Sequence, residues 1–379
     1  MNRLHYFYPE NDGALASDNP GYTASKAAVT LRRCGSVLPL WTGYPGDRFV
    51  DTGTNKVWLD AMSEAFDREV RPFDGNCDGL QPFPWGWSKP VRREFLEIGL
   101  SLALLPDDAQ LARMRELSHR RTALRLAKEL SNNCPDILPA GVEAFTVAEA
   151  MEAVTRYGRA MVKLPWSSSG RGVTDSDTIA AAELERKIAG TIRRQGSVTV
   201  QPFVEDAVDF GLLYEMQGGV ARYLGLSVFD HDRHFTYTGS VVASEALLRD
   251  ELARRGAAFR VDVVESTGWL LTEIIGNDYE GIAGVDMLGC PGTRAVAVGE
   301  INLRQTMGYV ALRLASDVLA PGLKGRFAIG PSAEPPWTPS APTREQIFGD
   351  AVVKDGRLCG GTLRLNAPDL PVAFTLSVE

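Results

Sequence analysis

The sequence predicts an α/β protein with α+β parts, and three observations carry that prediction. From Glu143 onward, apolar runs with a two-residue period alternate with stretches of helical period. Residues 211–243 alternate apolar and polar side chains around Gly218-Gly219, as an antiparallel meander does. Proline-bearing breaks at 132–139 and 331–346 punctuate the chain, and 379 residues suffice for two or three domains.

Taken in order, residues 3–8 read as a strand and 25–33 as a helix whose Ala27, Ala28 and Leu31 share an apolar face. Residues 57–70 and 90–100 read as further helices. Between them, 71–88 is rich in Pro, Gly and aromatic residues (Pro82-Phe83-Pro84-Trp85-Gly86-Trp87), so an irregular packed loop is expected. No G-x-G-x-x-G follows the first strand, and a dinucleotide site of that type lacks its phosphate-binding turn. Pro106-Asp107-Asp108 opens a helix that either aspartate can cap. Leu111, Met114, Leu117 and Arg121 share its face, and it breaks near His119 before resuming to Leu130.

After the break at 132–139 come a helix at 147–157, a strand at 160–164, a helix at 180–194 and a strand at 197–204. Helices at 246–255 and 261–275 follow the meander. Strands at 282–288 and 295–303 are joined by a turn at Cys290-Pro291-Gly292, and 309–318 is helical. The proline-rich stretch 331–346 reads as a semi-rigid linker and 351–378 as a small β appendage.

Composition excludes several classes. The apolar fraction of 44% and charged fraction of 23% are those of an ordinary globular protein. A formal charge of −8 argues against a protein that reads a nucleic-acid backbone. No apolar run is long enough to span a bilayer, and the N-terminus has no signal-peptide core, so the cytoplasm is the expected location. Cys34, Cys77, Cys134, Cys290 and Cys359 are scattered and never form C-x-x-C, which points to incidental thiols. His231 and His234 fall in a polar stretch (Asp230-His231-Asp232-Arg233-His234) and read as loop residues rather than metal ligands.

Two segments carry the chemistry. Lys163 lies on the apolar strand Ala160-Met161-Val162-Lys163-Leu164, where an ammonium is costly unless an anion neutralises it. A nucleotide phosphate is one such anion; a lysine reaching from a strand end to water is the plain alternative. The loop that follows, Ser167-Ser168-Ser169-Gly170-Arg171-Gly172, is small enough to fold over an anion and present backbone N–H groups, with Arg171 adding charge. It is not a Walker A loop, because no Gly-Lys-Ser/Thr closes it.

The second segment, Gly299-Glu300-Ile301-Asn302-Leu303-Arg304, places Glu300, Asn302 and Arg304 on one strand face. Asp286 on the preceding strand can join them. Carboxylate and amide oxygens are hard ligands that suit Mg²⁺ bridging phosphates, and Arg304 would steady charge on a transferring phosphoryl group. The alternative is a solvated polar face with a cross-strand ion pair.

Together these segments resemble an ATP-grasp domain over roughly residues 105–325. The resemblance implies ATP and Mg²⁺ as cofactors, with Lys163, the 167–172 loop and an upstream basic residue, taken as Arg120, on the phosphates. Residues Gln201, Phe203 and Val204 would contact adenine and Asp209 the ribose, while Asp286, Glu300 and Asn302 would hold the metal. The chain departs from the family pattern in having Gln201 where Glu is common and Arg120 where Lys is.

The implied organisation is an N-terminal α/β domain at 1–105 and an ATP-grasp domain at 106–330, then the linker 331–346 and the appendage 347–379. Within the second domain, 140–210 would be the nucleotide-binding part and 211–330 the metal-binding part. ATP-grasp enzymes use the N-terminal domain on the acceptor side of the cleft, so Glu10, Asn11 and Asp12 either face substrate or only cap the first helix. The activity expected is a ligase that makes an acyl phosphate from a small carboxylate and passes it to an amine or other nucleophile. A small-molecule kinase and a degenerate nucleotide-binding module stay open, as does a homo-oligomer.

Overall fold

The computed structural model describes residues 2–167, 172–332 and 343–379. Among these, the strands form three principal sheets and one small ribbon.

The N-terminal sheet is parallel and contains β1 (Asn2–Tyr6), β2 (Arg48–Phe49), β3 (Arg71–Pro72) and β4 (Leu80–Pro84), in the order β3-β2-β1-β4. Both β3 and β4 fall inside the stretch expected to be an irregular loop. They carry Pro72, Pro82 and Pro84, and as edge strands they tolerate residues that cannot donate to a ladder. The proline content that reads as a loop is therefore a mark of sheet edges. The expected helix at 57–70 is Lys56–Ala65 and stops early, because Asp67 adopts a left-handed φ of 50° that turns the chain toward β3. The helix Asn11–Ser17 and the short helix Pro39–Thr42 have no counterpart among the elements placed from the sequence.

The helix Asp108–Leu117 begins at a capping box in which Asp107 and Gln110 exchange bonds of 2.8 Å. The chain breaks at 118–120 as expected and resumes as the helix Arg121–Asn133. That break leaves Arg120 at a corner rather than on a helix face.

A small antiparallel sheet follows, built of β5 (Val142–Ala144), β6 (Ala160–Lys163), β7 (Val173–Asp175) and β8 (Val198–Pro202), in the order β5-β8-β6-β7. Strand alternation sorts its side chains. Ala160, Val162, Val198 and Val200 pack with Ala150, Ala153, Leu184 and Ile188 of the helices Val147–Tyr157 and Ala181–Gln195. Met161, Lys163 and Gln201 point the other way.

The largest sheet comprises β9 (Val208–Gln217), β10 (Val220–His231), β11 (Tyr237–Val242), β12 (Gly281–Gly289), β13 (Val296–Asn302) and β14 (Gly325–Pro331). The meander is β9-β10-β11, turning at Gly218 and Gly219, both with positive φ. One face of this sheet buries Phe210, Leu212, Tyr214, Leu226, Val228, Val285 and Met287 against the helices Arg121–Asn133, Glu245–Arg254 and Val261–Ile275.

The C-terminal residues form strands, as their alternation predicts, but they are not set apart. After the ribbon of β15 (Val352–Lys354) and β16 (Arg357–Gly360), β17 (Thr362–Arg364) and β18 (Val372–Val378) extend the large sheet in the order β13-β12-β9-β10-β11-β14-β18-β17. Leu363, Leu365, Phe374 and Leu376 share one core with Phe7, Trp41, Trp58 and Phe95 of the N-terminal residues. The Trp41 indole N–H donates to the Leu365 carbonyl at 2.7 Å, and the Asn366 amide donates to that of Cys34 at 3.0 Å. Of the expected linker, 333–342 lies outside the described residues. Pro331 closes β14, and Arg344–Phe348 is a short capped helix. No helix among the described residues is long and apolar enough to cross a membrane.

Candidate functional site

The small sheet and the free face of the large sheet confront each other across a cavity of about 820 Å³. Its lining includes Arg120, Lys163, Gln201, Phe203, Val204, Asp209, Asp286, Glu300, Asn302 and Arg304. Two sequence segments more than 130 residues apart thus meet in one place.

The acidic wall is set by strand register. In the antiparallel pair of β12 and β13, Asp286 lies directly opposite Glu300, and Gly284 opposite Asn302. On the next strand Gly211 lies opposite Asp286, so no side chain covers the carboxylate. A Cβ built on Gly211 would come within 3.7 Å of Asp286 Oδ1. The Asn302 amide nitrogen donates to Asp286 Oδ2 at 3.0 Å, which leaves its carbonyl oxygen for another partner.

Burial, then the like charge of Glu300, raises the pKa of Asp286 above the usual carboxylate range against the pull of Arg304 and His231. Glu300 goes the other way: burial would raise it, but Arg120, Arg304 and Lys163 outweigh that and hold it below the usual range.

The basic wall faces it. Lys163 is 9% exposed, and its Nζ donates to the Gly299 carbonyl at 3.3 Å. Burial and the neighbouring Arg120 lower its pKa to about 8. Arg120 donates from Nε to the Leu164 carbonyl at 2.8 Å and from Nη2 to Ser167 Oγ at 3.1 Å, while Nη1 pairs with Glu300. Of the expected phosphate loop, Ser167 is therefore placed beside the cavity residues, whereas Ser168, Ser169, Gly170 and Arg171 lie outside the described residues.

At the far end, Gln201 does not present its amide nitrogen to the cavity. That nitrogen donates to the carbonyls of Ala140 (3.0 Å) and Val298 (3.2 Å), tying the two sheets together. The Phe203 N–H is likewise engaged, donating to the Arg159 carbonyl at 3.1 Å, and the Arg159 guanidinium lies 3.5 Å over the Phe203 ring. Met161, Val173, Leu288 and Val298 make this end apolar.

Three groups escape the sequence reading or are left undecided by it. His231 is not a loop residue: it ends β10, lines the cavity and binds Asp209 through Nδ1 at 3.1 Å. Burial would lower its pKa, but the bond to and charge of Asp209 outweigh it, and the value rises. The period-two series Ser227, Phe229, His231 is the signal that could have found it. His234 sits exposed in the following turn. Asp12 turns inward and holds Arg304 Nε at 3.0 Å. Gly86 makes that approach feasible, since a Cβ there would fall 2.8 Å from Arg304 Cβ. Ser227, which also lines the cavity, begins that same period-two series.

Among the described residues no cluster of three or more His, Cys, Asp or Glu side chains forms a metal cage. The donors present are two carboxylates and an amide oxygen, which fit Mg²⁺ completing its shell from phosphate and water oxygens. A cation there would also relieve the repulsion between Asp286 and Glu300.

No protein-family model and no curated protein matches the chain. Among solved structures, biotin carboxylase from Campylobacter jejuni in complex with β-γ-ATP superposes with a TM-score of 0.50. The match has 12% identity and covers 85% of this chain and 73% of that one. N5-carboxyaminoimidazole ribonucleotide synthetase from Thermus thermophilus gives 0.48 at 14% identity, covering 99% and 93%. D-alanyl-alanine synthetase A from Vibrio cholerae gives 0.43 at 10%, covering 84% and 94%. At such identity the likeness to the carboxylase is one of fold, and it agrees with the arrangement of sheets around the cavity: the chain has the multidomain ATP-grasp fold.

Proposed function

We propose that the chain is an ATP- and Mg²⁺-dependent, ADP-forming ligase that activates a small carboxylate as an acyl phosphate and couples it to an amine or another nucleophile. One observation carries the reading: a single cavity is lined at once by Lys163, Arg120, Asp286, Glu300, Asn302 and Arg304. The similar carboxylase, solved with β-γ-ATP, supports a nucleotide in this cleft.

In this reading the apolar end formed by Met161, Phe203, Val204, Leu288 and Val298 receives the adenine, and Asp209, steadied by His231, the ribose hydroxyls. Gln201 shapes that end as a tie between the sheets rather than as a donor to the base. Lys163 and Arg120, with Ser167, draw the phosphates down. Mg²⁺, held by Asp286, Glu300 and Asn302, would neutralise charge on the phosphate oxygens during transfer. Arg304, fixed by Asp12, faces the oxygen of the attacking carboxylate and the phosphoryl group it receives. The chain supplies position and field, with no covalent protein intermediate.

The decisive experiment is a screen of carboxylic acids, with and without amines, for stimulated ADP release. Free phosphate appearing with the ligated product supports the ligase. A stable phosphorylated alcohol would make the protein a kinase. Thermal stabilisation by ATP with no ADP release across a broad panel would leave only a binding module.

A further inference from the structure

The cavity continues past the nucleotide site to a floor that the ligase reading leaves without an occupant. Ser227, on β10, is 2% exposed, and its Oγ has no hydrogen-bond partner among the described residues. A buried hydroxyl without a partner costs free energy unless something else satisfies it. Beside it begins the helix Met307–Asp317, capped by Thr306, whose Oγ1 accepts the Tyr309 N–H at 3.3 Å. The N–H groups of Met307 and Gly308 precede the first intrahelical bond, and the end of the helix dipole favours an anion. Residue 308 is glycine where space is short: a Cβ there would lie 2.7 Å from Ser227 Oγ. Ser227, Thr306, Met307 and Gly308 all line the cavity.

An apolar wall stands beside this polar corner. Phe229 and Tyr237 line the same cavity with ring centroids 6.4 Å apart, and Met307 joins them. The Tyr237 hydroxyl is turned to Ser240 Oγ at 2.8 Å, so the ring rather than its polar tip is offered to the cavity.

Building on the ligase reading, we propose that the acid activated here has a compact apolar body. Its carboxylate rests on Ser227 Oγ and the first-turn N–H groups of the helix Met307–Asp317, and its hydrocarbon part lies against Phe229, Tyr237 and Met307. The side chains of Phe229 and Met307 offer a polar group on the acid no partner, and the neighbouring His231 ring, 5.2 Å from that of Phe229, is already paired with Asp209, so an unpaired polar group disfavours acids such as glutamate.

The test compares 3-phenylpropionate and isovalerate with succinate and glutamate as activators of ADP release by the full chain. Nucleotide binding is followed separately by thermal shift with a non-hydrolysable ATP analogue and Mg²⁺. The expected result is at least about a tenfold advantage in kcat/KM for the apolar acids. Ser227→Ala should raise the KM for the acid about tenfold with the KM for ATP unchanged, since a hydrogen bond to a charged group is lost. Phe229→Ala should reduce the preference for apolar acids over polar ones. Preference for succinate or glutamate, or an unchanged acid KM in Ser227→Ala, overturns the substrate proposal while the ligase reading stands. Failure of the analogue to stabilise the protein overturns the ligase reading itself.

Discussion

The two walls of the cleft solve opposite electrostatic problems in different ways. On the basic wall, Lys163 and Arg120 each donate to a backbone carbonyl, Gly299 and Leu164 respectively, so the protein itself partly satisfies the cations. On the acidic wall, Asp286 and Glu300 face one another, and of the two only Glu300 forms an ion pair among the described residues, with Arg120 from across the cleft. One ion pair, Arg120 with Glu300, thus joins the two walls, while Asp286 accepts from the Asn302 amide. In the proposed reaction Asp286 and Glu300 would hold the metal, and Lys163 and Arg120 the phosphates. The difference teaches where activity and stability part company: the acidic wall sets two carboxylates opposite each other, whereas the basic wall gives each cation a backbone carbonyl at the cost of burying it.

Substitutions on the acidic wall should have the largest effect. Glu300→Gln or Asn302→Ala removes a proposed metal ligand and should lower the kcat of Mg²⁺-dependent ADP release by about a hundredfold or more. Folding should persist, because neither side chain builds a core. Turnover within a few-fold of the parent would break the assignment of this wall to the metal.

A basic-wall change should separate binding from stability. Lys163→Met keeps length and removes a buried charge, so the melting temperature of the free protein should hold or rise. The stabilisation by ATP should fall sharply, by about tenfold or more in affinity, since one charge-assisted contact is lost. If melting temperature and ATP affinity fall together, Lys163 is a structural tie and the contrast between the walls is wrong.

The hinge between the walls gives a third test. Gln201 donates to two carbonyls, and a carboxylate cannot. Gln201→Glu restores the residue common in ATP-grasp proteins, yet here it should destabilise by about 1–3 kcal/mol through unpaired carbonyls and repulsion. A stable Gln201→Glu protein would mean that the Ala140 and Val298 contacts carry little. Asp12→Asn, which weakens the grip on Arg304, should cost about tenfold in kcat with the KM for ATP unmoved.

Much of this arrangement is legible in the sequence because period-two strands impose it. Lys163 on β6 and Glu300 with Asn302 on β13 follow from alternation once the strands are placed, and so does the helix Val147–Tyr157 from its apolar spacing. What stays hidden depends on contacts distant in sequence. The pairing of Asp12 with Arg304 spans 292 positions, and no local pattern announces it. Strand β4 hides behind its prolines, whose meaning depends on lying at an edge. Strands β17 and β18 read as an appendage because alternation shows that a strand exists but not which sheet receives it. His231 reads as a loop residue because the polar residues after it resemble a turn, and the turn does begin, one residue later.

The smallest expected effect is the dependence of nucleotide binding on pH, and its sign follows from Lys163. In the folded protein its pKa is lowered from 10.5 to about 8, by burial first and Arg120 second. A depressed folded value means that its contribution to stability is fully present above the unfolded pKa and is lost as pH falls toward the folded one. In the proposed reading ATP needs the ammonium charged, so affinity should run the opposite way and weaken as pH rises through about 8. Between about pH 7.5 and 8.5 the charged fraction, and with it the affinity, should drop about threefold. Isothermal titration with a non-hydrolysable analogue across roughly pH 6.5–9.5 measures this, with Lys163→Arg as the control that stays charged throughout. A flat profile in the parent chain would place the lysine in a wetter, better-compensated position than the opposed walls describe. The same profile in both proteins would assign the titration to another group, His231 beside Asp209 being the nearest candidate.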